Sequence, residues 1–285
     1  MELIKGFGLP FPSEYSSCSN LSPKSFSWTT TGDSNIHVYI DNKIFDGLET
    51  PRHDLKFGWL CESREIAIEI YNAIYQNPGR YKNKFAGIFT CEEFLIQSDP
   101  EFFLYSPPGS NLPWTKPEEM GIYTKSKKCS MICSPKARTE GHKFRLEIAG
   151  KLKDSIDLFG GAHGSPRIGD GSGPNGDWWR SKLPALKDYM FSIVFENAVY
   201  DKYYTEKITD CFATGTIPVY WGSKKVWEDF NSNGIIFYND LKYIDDLNED
   251  LYNSMSDSIA DNLGRVKNLQ SADDVIFNKI KSICG

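Results

Sequence analysis

Asn197, Tyr203, Glu206 and Lys207 lie close together in the stretch Phe195-Glu196-Asn197-Ala198-Val199-Tyr200-Asp201-Lys202-Tyr203-Tyr204-Thr205-Glu206-Lys207. An apolar run, Tyr189 to Phe195, ends there in polar residues, and a helical pattern begins soon afterwards. Thr205 is placed to cap that helix, Ile208, Cys211 and Phe212 give it an apolar face at i, i+3, i+4 spacing, and Gly215 is a good stop. A second apolar run, Ile217 to Trp221, follows at once. The segment therefore predicts strand, loop, helix, strand, with Glu206 and Lys207 in the first helical turn. The start of a helix carries unpaired N–H groups and partial positive charge, so a lysine there is mildly unfavourable. An anion bound at that end reverses the penalty, because N–H groups, dipole and ammonium converge on it. Alone, such a lysine reads as a solvated surface side chain, and its surroundings must decide.

The elements that would position these residues repeat along the chain. Ile36 to Ile40, Phe57 to Cys61 and Phe85 to Thr90 read as strands, with an amphipathic helix over Arg64 to Gln76. Ser106-Pro-Pro-Gly-Ser-Asn-Leu-Pro-Trp114 reads as a linker or loop. A second alternation then begins: strand Ser126 to Ser134, helix Glu140 to Leu152, strand Ser155 to Phe159, a glycine-rich loop, and the strand–helix–strand unit already described. Gly234 to Tyr238 is a further strand, and the chain from Leu247 onward reads as largely helical. Repeated strand–helix–strand units predict parallel sheets with helices on both faces, and hence two Rossmann-like halves. Ligands of such sheets bind beyond the carboxyl ends of the strands. Asn197, Glu206 and Lys207 fall there, as does Glu62 after the run Phe57-Gly-Trp-Leu-Cys61.

Composition narrows the function classes. The chain has 285 residues, enough for two domains, with 40% hydrophobic and 25% charged residues, as in globular proteins. A net charge of −6 argues against a nucleic-acid partner while leaving room for a local basic pocket. No apolar stretch has the length of a membrane span, and Met-Glu-Leu-Ile-Lys-Gly at the start lacks a signal-peptide core. Seven cysteines without a framework point to reduced thiols and a cytoplasmic setting, and the sequon Asn20-Leu21-Ser22 then means little. Cys129 and Cys133, four residues apart in a predicted strand, would be separated by about 13 Å, too far to share a metal. They read as core residues. Trp114 and the pair Trp178-Trp179 sit in Pro- and Gly-rich stretches, where rings either pack or line carbohydrate clefts.

Gly171-Ser-Gly173-Pro-Asn-Gly176 has the letters of a dinucleotide fingerprint, but no clear strand leads into it and Pro174 does not open a helix well, so it reads as a loop. No His-Glu-x-x-His, Cys-x-x-Cys or Asp-x-Asp is present, which leaves no metal signature. A diphosphate leaving group would then rely on protein cations and helix dipoles, with Lys207 and Arg145, in Gly141-His-Lys-Phe-Arg-Leu-Glu-Ile, as candidates. His163, in Gly160-Gly-Ala-His-Gly164, is a loop histidine and is left out of the candidate set.

Phe195-Glu196-Asn197, Tyr203-x-Thr205-Glu206-Lys207 and Thr216-Ile-Pro218-Val-Tyr-Trp-Gly222, in that order and without gaps, resemble the α-1,3-fucosyltransferase donor-binding motif of glycosyltransferase family 10. Lys127 to Ser134, Gly141-His142-x-x-Arg145 and Asp157-Leu-Phe-Gly160 are similar to the family's bacterial members. The likeness covers residues 120–240. The N-terminal third matches only through strand–helix order and Trp59-Leu-Cys-Glu62. The resemblance implies an α/β protein of GT-B architecture, two Rossmann-like domains facing a central cleft: 1–120 on the acceptor side, and 121–285 binding the nucleotide sugar and carrying a helical C-terminal tail. It implies an inverting transferase that moves fucose from GDP-fucose to a hydroxyl of a glycan acceptor, with no required metal or other cofactor. Arg145, Asn197, Tyr203, Glu206 and Lys207 would contact the donor, and Glu62 would occupy the position of the catalytic base, with Glu92 or Glu93 as the alternative. Lacking the membrane anchor of the eukaryotic Golgi enzymes, the chain is expected to be a soluble bacterial or viral form. A transferase using a different nucleotide sugar, or an inactive carbohydrate-binding protein on the same fold, are the competing expectations.

Overall fold

The computed structural model describes residues 2–11, 13–18, 21–51, 55–168 and 182–284. The glycine pattern 171–176, Trp178-Trp179 and Asn20 lie outside the described residues. Two parallel sheets flanked by helices divide between two compact units, Met1–Asn111 with Tyr200–Tyr203 and Gln270–Gly285, and Leu112–Val199 with Tyr204–Leu269.

The first unit holds six strands: β1 (Glu2–Phe7), β2 (Phe26–Thr29), β3 (Ile36–Ile40), β4 (Lys56–Trp59), β5 (Gly87–Thr90) and β6 (Phe103–Tyr105), in the order β2-β1-β3-β4-β5-β6. Every residue of β4 and β5 is buried, as expected of inner strands covered on both faces. Helices α1 (Ile44–Glu49), α2 (Ile68–Gln76), α3 (Pro78–Lys82) and α4 (Glu93–Ser98) lie in the connections, and Ile44, Ile70, Tyr71, Ile74 and Leu95 from them join one apolar core with Ile88 and Phe103.

The second unit repeats the plan with β7 (Lys127–Ile132), β8 (Asp157–Phe159), β9 (Tyr189–Phe195), β10 (Ile217–Trp221) and β11 (Ile236–Phe237), ordered β11-β10-β9-β7-β8. Its helices are α5 (Glu140–Leu152), α6 (Glu206–Ala213), α7 (Glu249–Ser254) and α8 (Ser256–Lys267). Cys129 and Cys133 are buried in its core beside Met131 and Phe191, as the sequence predicts.

The last helix, α9 (Ala272–Cys284), groups with the first unit, where the sequence alone attaches it to the second. The cause is its apolar stripe. Ala272, Ile276, Phe277 and Ile280 complete the cluster of Phe26, Trp28, Val38 and Phe57. Asp273 accepts from the Ser17 hydroxyl at 2.6 Å and from Trp28 Nε1 at 2.8 Å. The contact boundary between the units falls at Asn111/Leu112, earlier than residue 120. Among the described residues no helix is long and apolar enough to cross a membrane.

Candidate functional site

In the second sheet the strand order reverses between β7 and β9, which pair directly, so the connections leaving their carboxyl ends run to opposite sides. Such a switch point is where an open parallel sheet leaves room for a ligand. The segment after β7 leads to α5, whose Thr139 and His142 form a reciprocal cap: Thr139 Oγ1 accepts the His142 N–H at 3.1 Å, and His142 Nδ1 accepts the Thr139 N–H at 3.3 Å. The next contact sets the geometry. A Cβ at Gly141 would overlap the Glu196 carbonyl oxygen and come within 2.6 Å of that of Asn197. Only glycine lets α5 approach the residues that follow β9 so closely. Gly141→Ala is expected to cost about 2 kcal/mol and lower the melting midpoint by roughly 4–8 °C, measured by thermal unfolding. An unchanged midpoint would mean that this approach is not tight in solution.

Arg145 follows one turn later. It is buried, donates from Nη2 to Ser134 Oγ at 3.1 Å, and its Nε has no hydrogen-bond partner among the described residues. Gly160, at φ +99°, makes the complementary turn on the other side, where a Cβ would lie 2.7 Å from the Cys133 carbonyl oxygen. A buried guanidinium with a free donor is a prepared anion contact. His142 registers the same field: burial first, then Arg145, Lys207, Lys136 and Arg138, push its imidazole down to about 4. Four cations therefore act on one buried neutral histidine.

On α6, Thr205 is the N-cap and Glu206 and Lys207 are the first two helical residues, as the sequence predicts. The structure adds the partners. Asp210 Oδ2 lies 2.9 Å from Lys182 Nζ, which lies 3.1 Å from Glu206 Oε1; that oxygen is 3.5 Å from Lys207 Nζ, itself 3.5 Å from Glu196 Oε2. Charges of alternating sign thus run in a row from Asp210 to Glu196. Both ends are satisfied in the same way. Thr115 donates its N–H and hydroxyl to Asp210 at 2.7 and 2.9 Å, and Thr205 donates its N–H and hydroxyl to Glu196 at 2.9 and 2.8 Å. Lys207 also donates to Thr205 Oγ1 at 2.8 Å. Burial alone would raise the Glu206 carboxyl, but Lys182 and then Lys207 more than offset it and hold it at about 2. Of the five side chains, Lys207 is the most exposed, at 21% against at most 9% for the others.

The sequence-predicted residues do not all fall in one unit. Arg145, Asn197, Glu206 and Lys207 lie in the second, with Asn197 half-buried directly after Glu196. Tyr203 groups with the first, where it is buried and stacks on Tyr200 at 4.8 Å between ring centroids. Glu62 is also in the first unit, half-buried beyond β4. Its N–H and that of Cys61 donate to Asp41 Oδ1 at 3.1 and 2.9 Å. Asp41 follows β3 at φ +47°, and burial first, with the Glu62 charge adding, pushes its carboxyl up to about 7. Glu92, beyond β5, is buried with Arg64 Nη1 at 3.4 Å, and burial raises its carboxyl. Three carboxylates thus stand at the carboxyl ends of adjacent strands in that sheet. Sequence reading missed Asp41, Lys182, Asp210 and the ionic role of Glu196. Only Glu196, inside the motif, gave a local signal. Trp114 is no free stacking platform, since the Lys182 ammonium sits over its ring at 4.3 Å. Among the described residues no group of three or more His, Cys, Asp or Glu side chains is arranged to hold a metal ion.

Residues 124–259 match the family model described as glycosyltransferase family 10 (fucosyltransferase) C-term. The chain is 40% identical over 67 residues to the alpha-(1,3)-fucosyltransferase FucT of Helicobacter pylori, covering 24% of this chain and 14% of that protein. It is 35% identical over 83 residues to a putative fucosyltransferase-like protein of Arabidopsis thaliana, covering 29% and 14%. The matches therefore span 14% of the length of each of these relatives. A crystal structure of alpha1,3-fucosyltransferase with GDP aligns over 99% of this chain and 88% of that one, with a TM-score of 0.51 and 14% identity, a likeness of fold.

Proposed function

Because the chain matches glycosyltransferase family 10 at the family level, we propose that it is an inverting glycosyltransferase that transfers fucose from GDP-fucose to a hydroxyl of a glycan acceptor without a required metal. The architecture in this proposal is GT-B, with the acceptor side in the first unit and the nucleotide sugar bound mainly by the second. The observation that carries the proposal is that Arg145, whose buried Nε has no partner among the described residues, and Lys207, at the start of α6, both act on His142, on the segments that follow the two strands of the switch point. The match to the alpha-(1,3)-fucosyltransferase of Helicobacter pylori supports fucose as the sugar, and a structure of the same fold holds GDP. Buried cysteines at Cys61, Cys91, Cys129, Cys133 and Cys211, outside any disulfide, support a cytoplasmic setting.

In the proposed reaction the Glu62 carboxylate takes the proton of the acceptor hydroxyl as that oxygen attacks the anomeric carbon. The bond from that carbon to the diphosphate oxygen breaks on the opposite face, and GDP leaves with the electron pair. Negative charge grows on the diphosphate in the transition state. Cations and N–H groups already fixed in place stabilise that charge without reorganising. Glu206, held ionised, accepts hydrogen bonds from ribose or sugar hydroxyls, and Asn197 and Tyr203 complete the donor contacts.

A donor hydrolysis panel of GDP- and UDP-sugars, with and without EDTA, tests the proposal without knowledge of the acceptor. GDP release from GDP-fucose above all other donors, undiminished by chelation, is the expected result. Release from another donor instead would reassign the sugar. Release from none of them, together with glycan binding, would make the chain a carbohydrate-binding protein.

A further inference from the structure

Lys182 is a buried ammonium that the proposed reaction does not use. It is enclosed by Glu206 at 3.1 Å, Asp210 at 2.9 Å and the face of Trp114 at 4.3 Å. Burying a charge in this way is costly unless its partners are fixed, and here they are: Asp210 by Thr115, and Glu206 by its place at the head of α6. The spacing along the row is uneven. Glu206 is closer to Lys182 than to Lys207, which stands 3.5 Å from each flanking carboxylate and is the most exposed member.

We propose that Lys182 is a positioning residue that satisfies the Glu206 carboxylate from its buried side and so leaves the Lys207 ammonium available to a nucleoside diphosphate. The inference rests on the donor-site reading given above. With Lys182 present, Glu206 shares that ammonium with Asp210 and attracts Lys207 less than it would alone. Without Lys182, Lys207 is the nearest remaining cation in the row. The carboxylate then draws it inward, and the phosphate oxygens lose their partner.

The test is the pH dependence of GDP binding, measured by calorimetry on the wild type and Lys182→Met, with guanosine as a control lacking phosphate. The charged or titratable groups near Glu206 are Lys182, Lys207, Asp210 and Glu196. Beyond them, His142 faces Lys207, while Cys211 and Lys125 lie behind Asp210. His142, pushed down to about 4, stays neutral between pH 5.5 and 8, and the buried Cys211 thiol stays protonated. Burial moves Lys125 down to about 7, so it titrates in this window in both proteins and cancels in their ratio. In Lys182→Met, burial raises the Glu206 carboxyl. Above its new pKa the ionised group sequesters Lys207, and below it the neutral group releases Lys207.

The expected result is a GDP affinity roughly 10- to 100-fold below wild type at pH 8 that recovers toward wild type at pH 5.5, with guanosine affinity equal in the two proteins at pH 8, where Glu206 is ionised in both. A loss of equal size at both pH values, or none at either, overturns the inference while leaving the donor reading intact. No GDP binding by the wild type overturns the donor reading itself. Should Lys182→Met fail to fold, Lys182→Met/Glu206→Gln is compared with Glu206→Gln. Equal GDP affinities support the inference, because the Glu206 carboxylate is gone from both proteins and the Glu196 carboxylate beside Lys207 is common to both. A persisting loss in the double variant overturns it.

Discussion

Lys207→Ala is expected to lower kcat/KM for the donor by about 10²- to 10³-fold, with the fold intact. The size follows from what the ammonium is asked to do. In the proposed reaction, charge develops on the diphosphate as the sugar leaves, and a fixed cation at a helix N-terminus would act on that charge more strongly in the transition state than in the ground state. The loss should therefore fall on kcat at least as much as on KM. The tolerance of the fold follows from the charged row. Removing Lys207 leaves Glu196 with the N–H and hydroxyl of Thr205, and leaves Glu206 with Lys182. Neither carboxylate is stranded, so the usual penalty for breaking a buried pair is avoided. Steady-state kinetics with GDP-fucose and circular dichroism check both halves. Unaltered turnover would remove this lysine from the mechanism.

Glu62→Gln is expected to lower kcat by about 10²- to 10⁴-fold with donor KM nearly unchanged, because glutamine cannot accept the acceptor's proton. The substitution keeps the local backbone, since Asp41 holds residue 62 through its N–H. It also removes the like charge that helps keep the Asp41 carboxyl near 7. The acid limb of the kcat/KM profile should disappear with the base, leaving the residual rate flat across that range. Near-normal transfer by Glu62→Gln would pass the role to Glu92, which stands at the end of the next strand and whose carboxyl burial also raises.

Much of this was legible in the sequence where the signal is local. The run Tyr189 to Phe195, the Thr205 cap, the apolar face of Ile208, Cys211 and Phe212, and the run Ile217 to Trp221 appear in the structure as β9, α6 and β10. Glu140–Leu152 forms the predicted helix because Thr139 caps it. The strands that escaped notice carry weak patterns: β1 contains a lysine and a glycine, β2 has four residues and β6 has three. Helix α9 was visible as a helix but not as part of the first core, since an apolar stripe does not say which core it completes. The ionic row was illegible for a related reason. Lys182 meets Glu206 and Asp210 across 24 and 28 positions of chain, and no spacing rule connects them. Asp41 was hidden because neither its positive φ nor its contact with residue 62 leaves a mark in its own neighbourhood.

The claim that Arg145 and Lys207 together hold a nucleoside diphosphate is tested most directly by titrating GDP into the chain in the presence of EDTA, and repeating the titration with Arg145→Met and Lys207→Ala. Saturable binding by the wild type that weakens at least about tenfold in each variant, with folding unchanged, is the predicted result. Equal GDP binding by all three proteins, or binding by the wild type only after a divalent metal is restored, would contradict it.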